Sequence, residues 1–185
     1  LQTIGIAKSE EEMQAHLSSL PKGGQEAIGS KWSAGDIMYR DLNGDGKISK
    51  GASTLDDHGD LKVIGNSTPR YFFGIDLNAD WKGFDVRLFF QGVMKRDYWG
   101  KDNFCGYLFG ARGDKDMWHA RGLVEHQDYF RAQAIGIDGH ELPANLDAYY
   151  PRPVFKEGAK NQETQSRYLQ DASYIRLKNF QLGYT

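Results

Sequence analysis

Several features that mark common protein classes are scarce or absent in this sequence. One cysteine, Cys105, in 185 residues excludes an internal disulfide framework and a thiolate zinc site. No apolar run approaches the roughly 20 residues of a membrane-spanning helix. A net charge of −2 gives no electrostatic reason to expect nucleic acid as a partner. What is present is glycine (22 residues) and aromatic residues (13%), a composition that favours β-structure with long polar loops.

Catalytic motifs are also missing. The sequence contains no nucleophile elbow, phosphate-binding loop or dinucleotide fingerprint. His119 and His126 are seven residues apart, which on a helix separates them by about 10 Å, too far to share one metal ion. We therefore expect ordinary loop histidines and no enzyme.

A short helix is predicted over residues 9–20. Ser9 and Glu12 have the spacing of a capping box, and acidic residues fill the first turn. Three apolar residues share one face, and Pro21 ends the segment.

The strongest pattern is strict alternation in two adjoining runs. "RYFFGIDLNADW" (70–81) and "FDVRLFFQGVMK" (84–95) are joined by "KG", which predicts a hairpin with a tight turn. Globular strands average about 5–6 residues, whereas strands that cross an outer membrane need roughly 9–11. Tyr71, Trp81 and Phe84 lie near the strand ends, as in an aromatic girdle. A long hairpin packed on a soluble core would show the same alternation, so periodicity alone leaves both interpretations open.

The rest of the chain is less regular. Residues 97–171 show no convincing alternation, although "MWHARGLVEHQDYF" could form a helix. The chain then closes with a strand candidate, "DASYIRLKNFQLGYT", whose apolar residues change sides unless a bulge lies near Asn179. The pattern stops at Thr185 without a turn, as expected of a chain cut within its structure. Short turns on one side and long loops on the other are typical of outer-membrane barrels.

Residues 40–49, "RDLNGDGKIS", resemble the first half of a calcium-binding loop. Asp41, Asn43 and Asp45 stand at alternating positions, and the carbonyl of Lys47 follows the turn glycine. The twelfth position, where such a loop carries a chelating acid, is Ala52. An Asx-rich turn that binds no metal remains the alternative.

Three blocks of the sequence resemble one protein family. "GDIMYRDLNGDGKIS", "VIGNSTPRYFFGIDLNADWKGFDVRLFFQGV" and "DASYIRLKNFQLGYT" are similar to the C-terminal part of SusC/RagA-like TonB-dependent transporters, outer-membrane importers of Bacteroidetes. The resemblance covers residues 34–98 and 142–185, with the blocks in the same order.

The resemblance implies an all-β fold: antiparallel strands of a large transmembrane β-barrel of about 22 strands in the whole protein. It implies an extracellular loop region with a short helix (1–68), a transmembrane hairpin (69–96), a long extracellular loop (97–171) and a transmembrane strand (172–185). Because 185 residues cannot form such a barrel, we expect a C-terminal fragment.

The resemblance also implies partners. They are the remaining barrel strands and plug, lipid, TonB acting through the N-terminal part, a SusD-like surface lipoprotein as lid, and an oligosaccharide or peptide substrate. The expected location is the bacterial outer membrane.

By the same resemblance, the acid that closes the calcium loop stands just before a short apolar strand ending in "IG". Here "LKVIG" follows Asp60, so Asp60 takes that role and "GASTLDDH" is inserted ahead of it. Asp57 is the alternative. Calcium bound there would be structural.

The transporter interpretation assigns sides to the hairpin residues. Expected to face lipid are Tyr71, Phe73, Ile75, Leu77, Val86, Leu88 and Phe90. Expected to face the lumen are Asp76, Asn78, Asp80, Asp85, Arg87 and Gln91. Five loop aromatics are candidates for substrate contact: Tyr98, Trp99, Tyr107, Phe109 and Trp118. The alternative function is a soluble, calcium-stabilised β-module that binds glycan or protein at the cell surface.

Overall fold

The described part of the chain has a mainly β structure with one α-helix, as predicted. A computed structural model describes residues 1–100, 124–136, 139–154 and 158–185. The regular elements in these ranges are β1 (Thr3–Ile6), α1 (Glu10–Ser18), β2 (Ile37–Tyr39), β3 (Tyr71–Trp81), β4 (Phe84–Met94), β5 (Asp97–Trp99), β6 (Leu169–Asp171) and β7 (Tyr174–Tyr184). Short 3₁₀ turns span Val124–Gln127, Gly158–Asn161 and Ser166–Tyr168. The described strands form three separate antiparallel sheets, β1–β2, β3–β4–β7 and β5–β6, and none of the three closes into a barrel.

Two compact units divide the chain. The first combines Leu1–Ile64 with Gly100–Tyr168, and the second combines Gly65–Trp99 with Leu169–Thr185. The second unit therefore contains the three long strands, while the first contains the helix and the loop with the calcium-like sequence.

Helix α1 begins where its sequence predicts. The Ser9 hydroxyl accepts the backbone N–H of Glu12 at 3.2 Å. The Glu12 carboxylate reaches back to the N–H of Lys8 at 2.6 Å and not to that of Ser9, so the predicted capping box is shifted by one residue on its return side. A hydrogen bond from Gln14 is the main cause holding the pKa of Glu10 below its usual value.

The core of the first unit gathers around β2. Its fully buried apolar side chains include Met13, Ile37, Tyr39 and Ile48. Ile48 follows the calcium-like residues and anchors their loop in the core, and its N–H donates to the Gly24 carbonyl at 2.7 Å. The buried amide of Gln25 accepts the N–H of Tyr39 and donates to the carbonyl of Ile37, which fixes the β2 backbone.

The predicted hairpin is present over its full length. β3 and β4 pair in one uninterrupted register, from Tyr71 opposite Met94 to Trp81 opposite Phe84. Lys82 and Gly83 form the two-residue turn with φ of 48° and 85°. Two successive positive φ angles are the signature of a type I′ turn, whose twist matches that of the strands it joins.

Strand β7 adds to the other edge of β4 with one irregularity. Phe89 pairs with Asn179, but the next residue, Phe90, pairs with Leu177, so Lys178 is the extra residue of a bulge. A bulge near Asn179 was predicted from the change of sides in the sequence, and the pairing confirms it.

Because paired residues share a face, the three long strands together have one apolar face. Its members are Tyr71, Phe73, Ile75, Leu77, Ala79, Trp81, Phe84, Val86, Leu88, Phe90, Gly92, Met94, Ile175, Leu177, Phe180, Leu182 and Tyr184. All seven residues predicted to face lipid lie on it, and all six predicted to face the lumen lie on the opposite face.

Gly92 is required by a close approach on the apolar face. A Cβ atom there would lie 2.2 Å from the Phe73 ring and 2.7 Å from the carbonyl oxygen of Tyr174. We expect Gly92→Ala to destabilise the folded full-length protein by about 1–3 kcal/mol through overpacking. Its urea midpoint in detergent should fall, and Gly92→Ala combined with Phe73→Leu should recover part of the loss. An unchanged midpoint in the single variant would contradict this packing.

The long segment after β4 is paired at both its ends, which the sequence did not predict. β5 pairs with β6, with Tyr98 opposite Gln170, and the N–H of Ala172 donates to the Arg96 carbonyl at 2.8 Å. Strands of three residues are too short to show alternation. Half of the helix suggested by "MWHARGLVEHQDYF" (117–130) falls outside the described residues, and its described half contains the 3₁₀ turn at 124–127.

Candidate functional site

The first functional feature is the apolar face of the β3–β4–β7 sheet, which lies open. Half or more of each side chain is exposed at Leu77 (51%), Phe180 (60%) and Leu182 (62%). At about 3.4 Å per residue, eleven residues span roughly 34–37 Å along a strand. Tilted by about 45°, such a strand covers about 25 Å, the height of the apolar band on an outer-membrane barrel.

Aromatic rings lie at the two ends of this face. At the turn end, Trp81, Phe84 and Tyr184 form one row across the three strands, with the Phe84 and Tyr184 ring centroids 4.7 Å apart. The Lys82 ammonium lies 4.9 Å from the Trp81 ring. At the opposite end Tyr71 is 55% exposed. Rings with a polar or cationic neighbour suit the boundary between hydrocarbon and headgroups.

The opposite face of the same sheet is largely polar. The Arg87 guanidinium donates to both carboxylate oxygens of Asp76, at 3.1 and 2.5 Å, across the β3–β4 pair. Asp80 and Asp85 face one another next to the turn. One face is therefore suited to hydrocarbon and the other to water.

The second feature is the calcium-like loop, which is ordered by hydrogen bonds between its acidic side chains and its own backbone. The Asp41 carboxylate accepts the N–H of Gly44 at 2.6 Å and of Gly46 at 2.8 Å. Asn43 accepts from Asp45, and Asp45 in turn accepts from the residue two further on, both at 3.0 Å. These are Asx turns, which hold the side-chain oxygens along the inside of the loop.

Asp60, and not Asp57, is the acid brought back to this loop. The Asp60 side chain is fully buried, and its two oxygens accept the N–H groups of Leu42 and Ser49 at 2.7 and 2.8 Å. Asp57 instead accepts the N–H of Ala52 and stays within the inserted segment. Asp60 therefore joins the two ends of the loop.

Two glycines explain how the insertion is accommodated. Gly51 and Gly59 have φ of 55° and 54°, and their backbones touch. A Cβ on Gly59 would lie 2.5 Å from the backbone nitrogen of Gly51 and from the carbonyl oxygen of Ser49. The inserted segment between these glycines therefore starts and ends at nearly the same point. This brings Asp60 next to the end of the calcium-like loop.

Fit to a metal ion depends on the direction of the oxygens. Among the described residues, no three His, Cys, Asp or Glu side chains converge as ligands of one ion. Asp41, Asp45 and Asp60 direct oxygens to backbone N–H groups, although a carboxylate has about four lone-pair sites and each keeps some free. Calcium bound here would use the lone pairs that the Asp41 and Asp45 carboxylates keep free.

The predicted substrate residues are only partly covered by the structure. Tyr98 in β5 is 45% exposed, and Trp99 is half-buried opposite Leu169. Tyr107, Phe109 and Trp118 lie outside the described residues.

A buried ionic cluster around Asp36 was not predicted from the sequence. Asp36 is fully buried. It accepts hydrogen bonds from Nε and Nη2 of Arg152, both at 2.9 Å, from Lys160 at 2.7 Å and from Asn161 at 2.9 Å. The Lys160 ammonium also lies 4.8 Å from the Trp32 ring. The partners are 116 to 125 residues apart, and no local pattern could have revealed them. The cluster ties the start of β2 to the segment before β6.

Comparison with known proteins gives distant relatives of one kind. The chain is similar to three TonB-dependent receptors of Formosa agariphila: receptor P3 (28% identical over 169 residues, 90% of this chain), receptor P39 (26% over 151 residues, 82%) and receptor P26 (26% over 190 residues, 98%). The chain spans only 13%, 12% and 14% of those relatives. No protein-family model matches the chain. These similarities support a piece of a TonB-dependent receptor.

A search of the described ranges for helices found none with both the length and the apolarity to cross a membrane.

Proposed function

We propose that this chain is part of the barrel wall of a SusC/RagA-like, TonB-dependent importer in the bacterial outer membrane. The observation that carries the proposal is the three-stranded sheet whose eleven-residue strands have one open apolar face and one charged face. A soluble module would leave that apolar face in water, which is unfavourable for a patch of this size. The distant similarity to TonB-dependent receptors supports the same conclusion.

The proposal fixes an orientation. The short Lys82–Gly83 turn lies on the periplasmic side, and residues 1–68 and 97–171 form extracellular loops, because barrel proteins have short periplasmic turns and long extracellular loops. Wall, plug and remaining strands belong to the same protein, TonB supplies the energy, and a SusD-like lipoprotein covers the mouth. The cargo is an oligosaccharide or a peptide, and the loop aromatics Tyr98 and Trp99 contact it. The protein moves its cargo and does no chemistry on it.

Calcium is proposed as a structural ion of the loop. Asp41, Asn43, Asp45 and the Lys47 carbonyl would supply oxygens from alternating positions, with Asp60 closing the site, as hard cations prefer. What supports this is the alternating order of the oxygens and the return of Asp60 to the loop ends. The ion would hold an extracellular loop in one conformation.

Labelling on intact cells tests the location and orientation. In full-length protein carrying Cys105→Ser, Leu55→Cys should react with a membrane-impermeant maleimide outside the cell, since this side chain is 98% exposed. Lys82→Cys at the turn is the matched control and should react only after the outer membrane is opened. Equal labelling of both variants on intact cells, or recovery of the protein in a soluble fraction, would contradict the importer and favour the soluble β-module.

A further inference from the structure

The polar face of the β3–β4–β7 sheet differs between its two ends. Near the turn it is acidic, because Asp80 and Asp85 are direct cross-strand neighbours and Asp76 already holds Arg87. At the end away from the turn, the first two rows of paired residues contain no acidic residue. They contain aromatic and cationic side chains instead.

The row furthest from the turn is apolar and aromatic. Phe72, Val93 and Tyr174 are direct neighbours across the three strands. Phe72 is 72% exposed and Tyr174 is 40% exposed, so both rings are accessible to solvent on a face that is largely polar. Two strand spacings separate the rings by about 10 Å.

The next row supplies hydrogen-bond donors. Gly74, Gln91 and Arg176 are neighbours across the sheet, and the Phe89 ring packs against the Gly74 backbone. The Arg176 guanidinium lies 5.3 Å from the Tyr174 ring, and it forms no ion pair with any residue in the described part of the chain. A ring face and an uncompensated cation are thus presented side by side.

We propose that this end of the polar face, defined by Phe72, Tyr174, Gln91 and Arg176, binds an anionic oligosaccharide. The rings of Phe72 and Tyr174 stack on sugar faces, Arg176 donates a charge-assisted hydrogen bond to a carboxylate or sulfate of the sugar, and Gln91 bonds a hydroxyl. The inference rests on the proposed importer, in which this face lines the passage, and it names the substrate class.

The charge distribution favours an anion at this end. The Asp80–Asp85 pair lies six residues along the strands from the Gly74 row, about 20 Å away at 3.4 Å per residue. That separation is about twice the Debye length in physiological salt, so the acidic end hardly reduces the attraction of Arg176 for an anion.

The backbone favours a saccharide over a peptide. Extended peptides bind sheets by adding to a free edge and pairing with main-chain groups. Both edges of β4 are already paired, with β3 and with β7, so the centre of this face offers side chains alone. Ring faces with side-chain donors fit a sugar, which needs no main-chain partner.

Binding by purified full-length protein tests the proposal. The probes are an oligogalacturonate, a neutral gluco-oligosaccharide of equal length and an oligoglutamate of equal charge. Arg176→Gln should weaken oligogalacturonate binding about tenfold, the effect expected of one lost charge-assisted hydrogen bond, and leave the neutral probe unchanged. Arg176→Lys should restore part of the affinity. Phe72→Leu should weaken both sugars, and Lys82→Gln, a cation removed at the far end, should weaken neither.

Three results would overturn the proposal: no loss with Arg176→Gln, an equal loss for neutral and anionic sugars, or oligoglutamate binding as tightly as oligogalacturonate and responding to the same variants. The labelling of Leu55→Cys, carried out in each variant, reports separately whether the protein still reaches the outer membrane. If Arg176→Gln reaches the outer membrane and binds oligogalacturonate with unchanged affinity, the proposed substrate class is wrong and the proposed importer is unaffected.

Discussion

Full-length protein carrying Leu77→Arg is expected to be absent from the outer membrane. Leu77 pairs with Leu88, which pairs with Phe180, and this row lies near the middle of the eleven-residue strands. In the proposed orientation it faces the centre of the hydrocarbon layer. An arginine on the lipid face at that depth costs about 2–4 kcal/mol. That is a large fraction of the stability of a folded protein and acts at the step where the strands enter the membrane.

Asn78→Arg is the matched control for this prediction. It introduces the same side chain at the neighbouring residue, which the alternation places on the polar face opposite Arg87. The measurement is the amount of protein in the outer-membrane fraction and its heat-modifiable mobility on gels. Normal assembly of Leu77→Arg would show that this face does not contact lipid, whereas equal loss in both variants would point to general misfolding.

The sheet was predictable because its signals are local. Alternation with a period of two determines which residues share a face, and a two-residue "KG" linker between two alternating runs determines the hairpin register. The bulge was also predictable, since the alternation of apolar residues in β7 shifts by one position at Lys178. Each of these inferences needs only a few consecutive residues.

Other features were not predictable because they depend on residues far apart in the sequence. The partners of Asp36 come from segments more than a hundred residues away, and β5 and β6 are three-residue strands whose pairing is imposed by the longer β4–β7 pairing next to them. Sequence alone also left Asp57 and Asp60 as alternatives. The contact between Gly51 and Gly59 brings Asp60 back to the ends of the loop, and a steric contact of that kind has no periodic signature.

The loop illustrates how an insertion can preserve a closing residue. In an uninterrupted loop the last acid follows at a fixed spacing, and eight extra residues would be expected to displace it. Here the extra residues form a side excursion stabilised by its own hydrogen bonds, including those of Asp57 with Ala52 and Thr54. Asp60 consequently reaches the backbone N–H groups of Leu42 and Ser49 although the excursion separates it from them in the sequence.

Asp60→Ala is therefore expected to loosen the whole loop, with or without calcium. The substitution leaves the N–H groups of the half-buried Leu42 and Ser49 without their acceptor. A fully buried orphaned donor costs roughly 1–3 kcal/mol, and these two are half-buried, so local stability should fall by about 1–3 kcal/mol in all. Amide hydrogen exchange of the full-length protein should show loss of protection across residues 41–49.

Asp57→Ala is the control, because it removes an acid at a similar distance in sequence that bonds only within the excursion. Protection should be lost at residues 51–58 and kept at 41–49.

The two variants also separate the metal hypothesis from the structural one. If calcium binds with Asp60 as its last ligand, adding it at a hundredfold excess over its Kd should stabilise the wild type and Asp57→Ala by about 2.7 kcal/mol. Asp60→Ala should lose that response. A wild-type protein whose stability does not change with calcium would show that Asp60 only joins the loop ends by hydrogen bonds, in an Asx-rich turn without metal. Equal hydrogen exchange in the two variants would contradict that structural role as well.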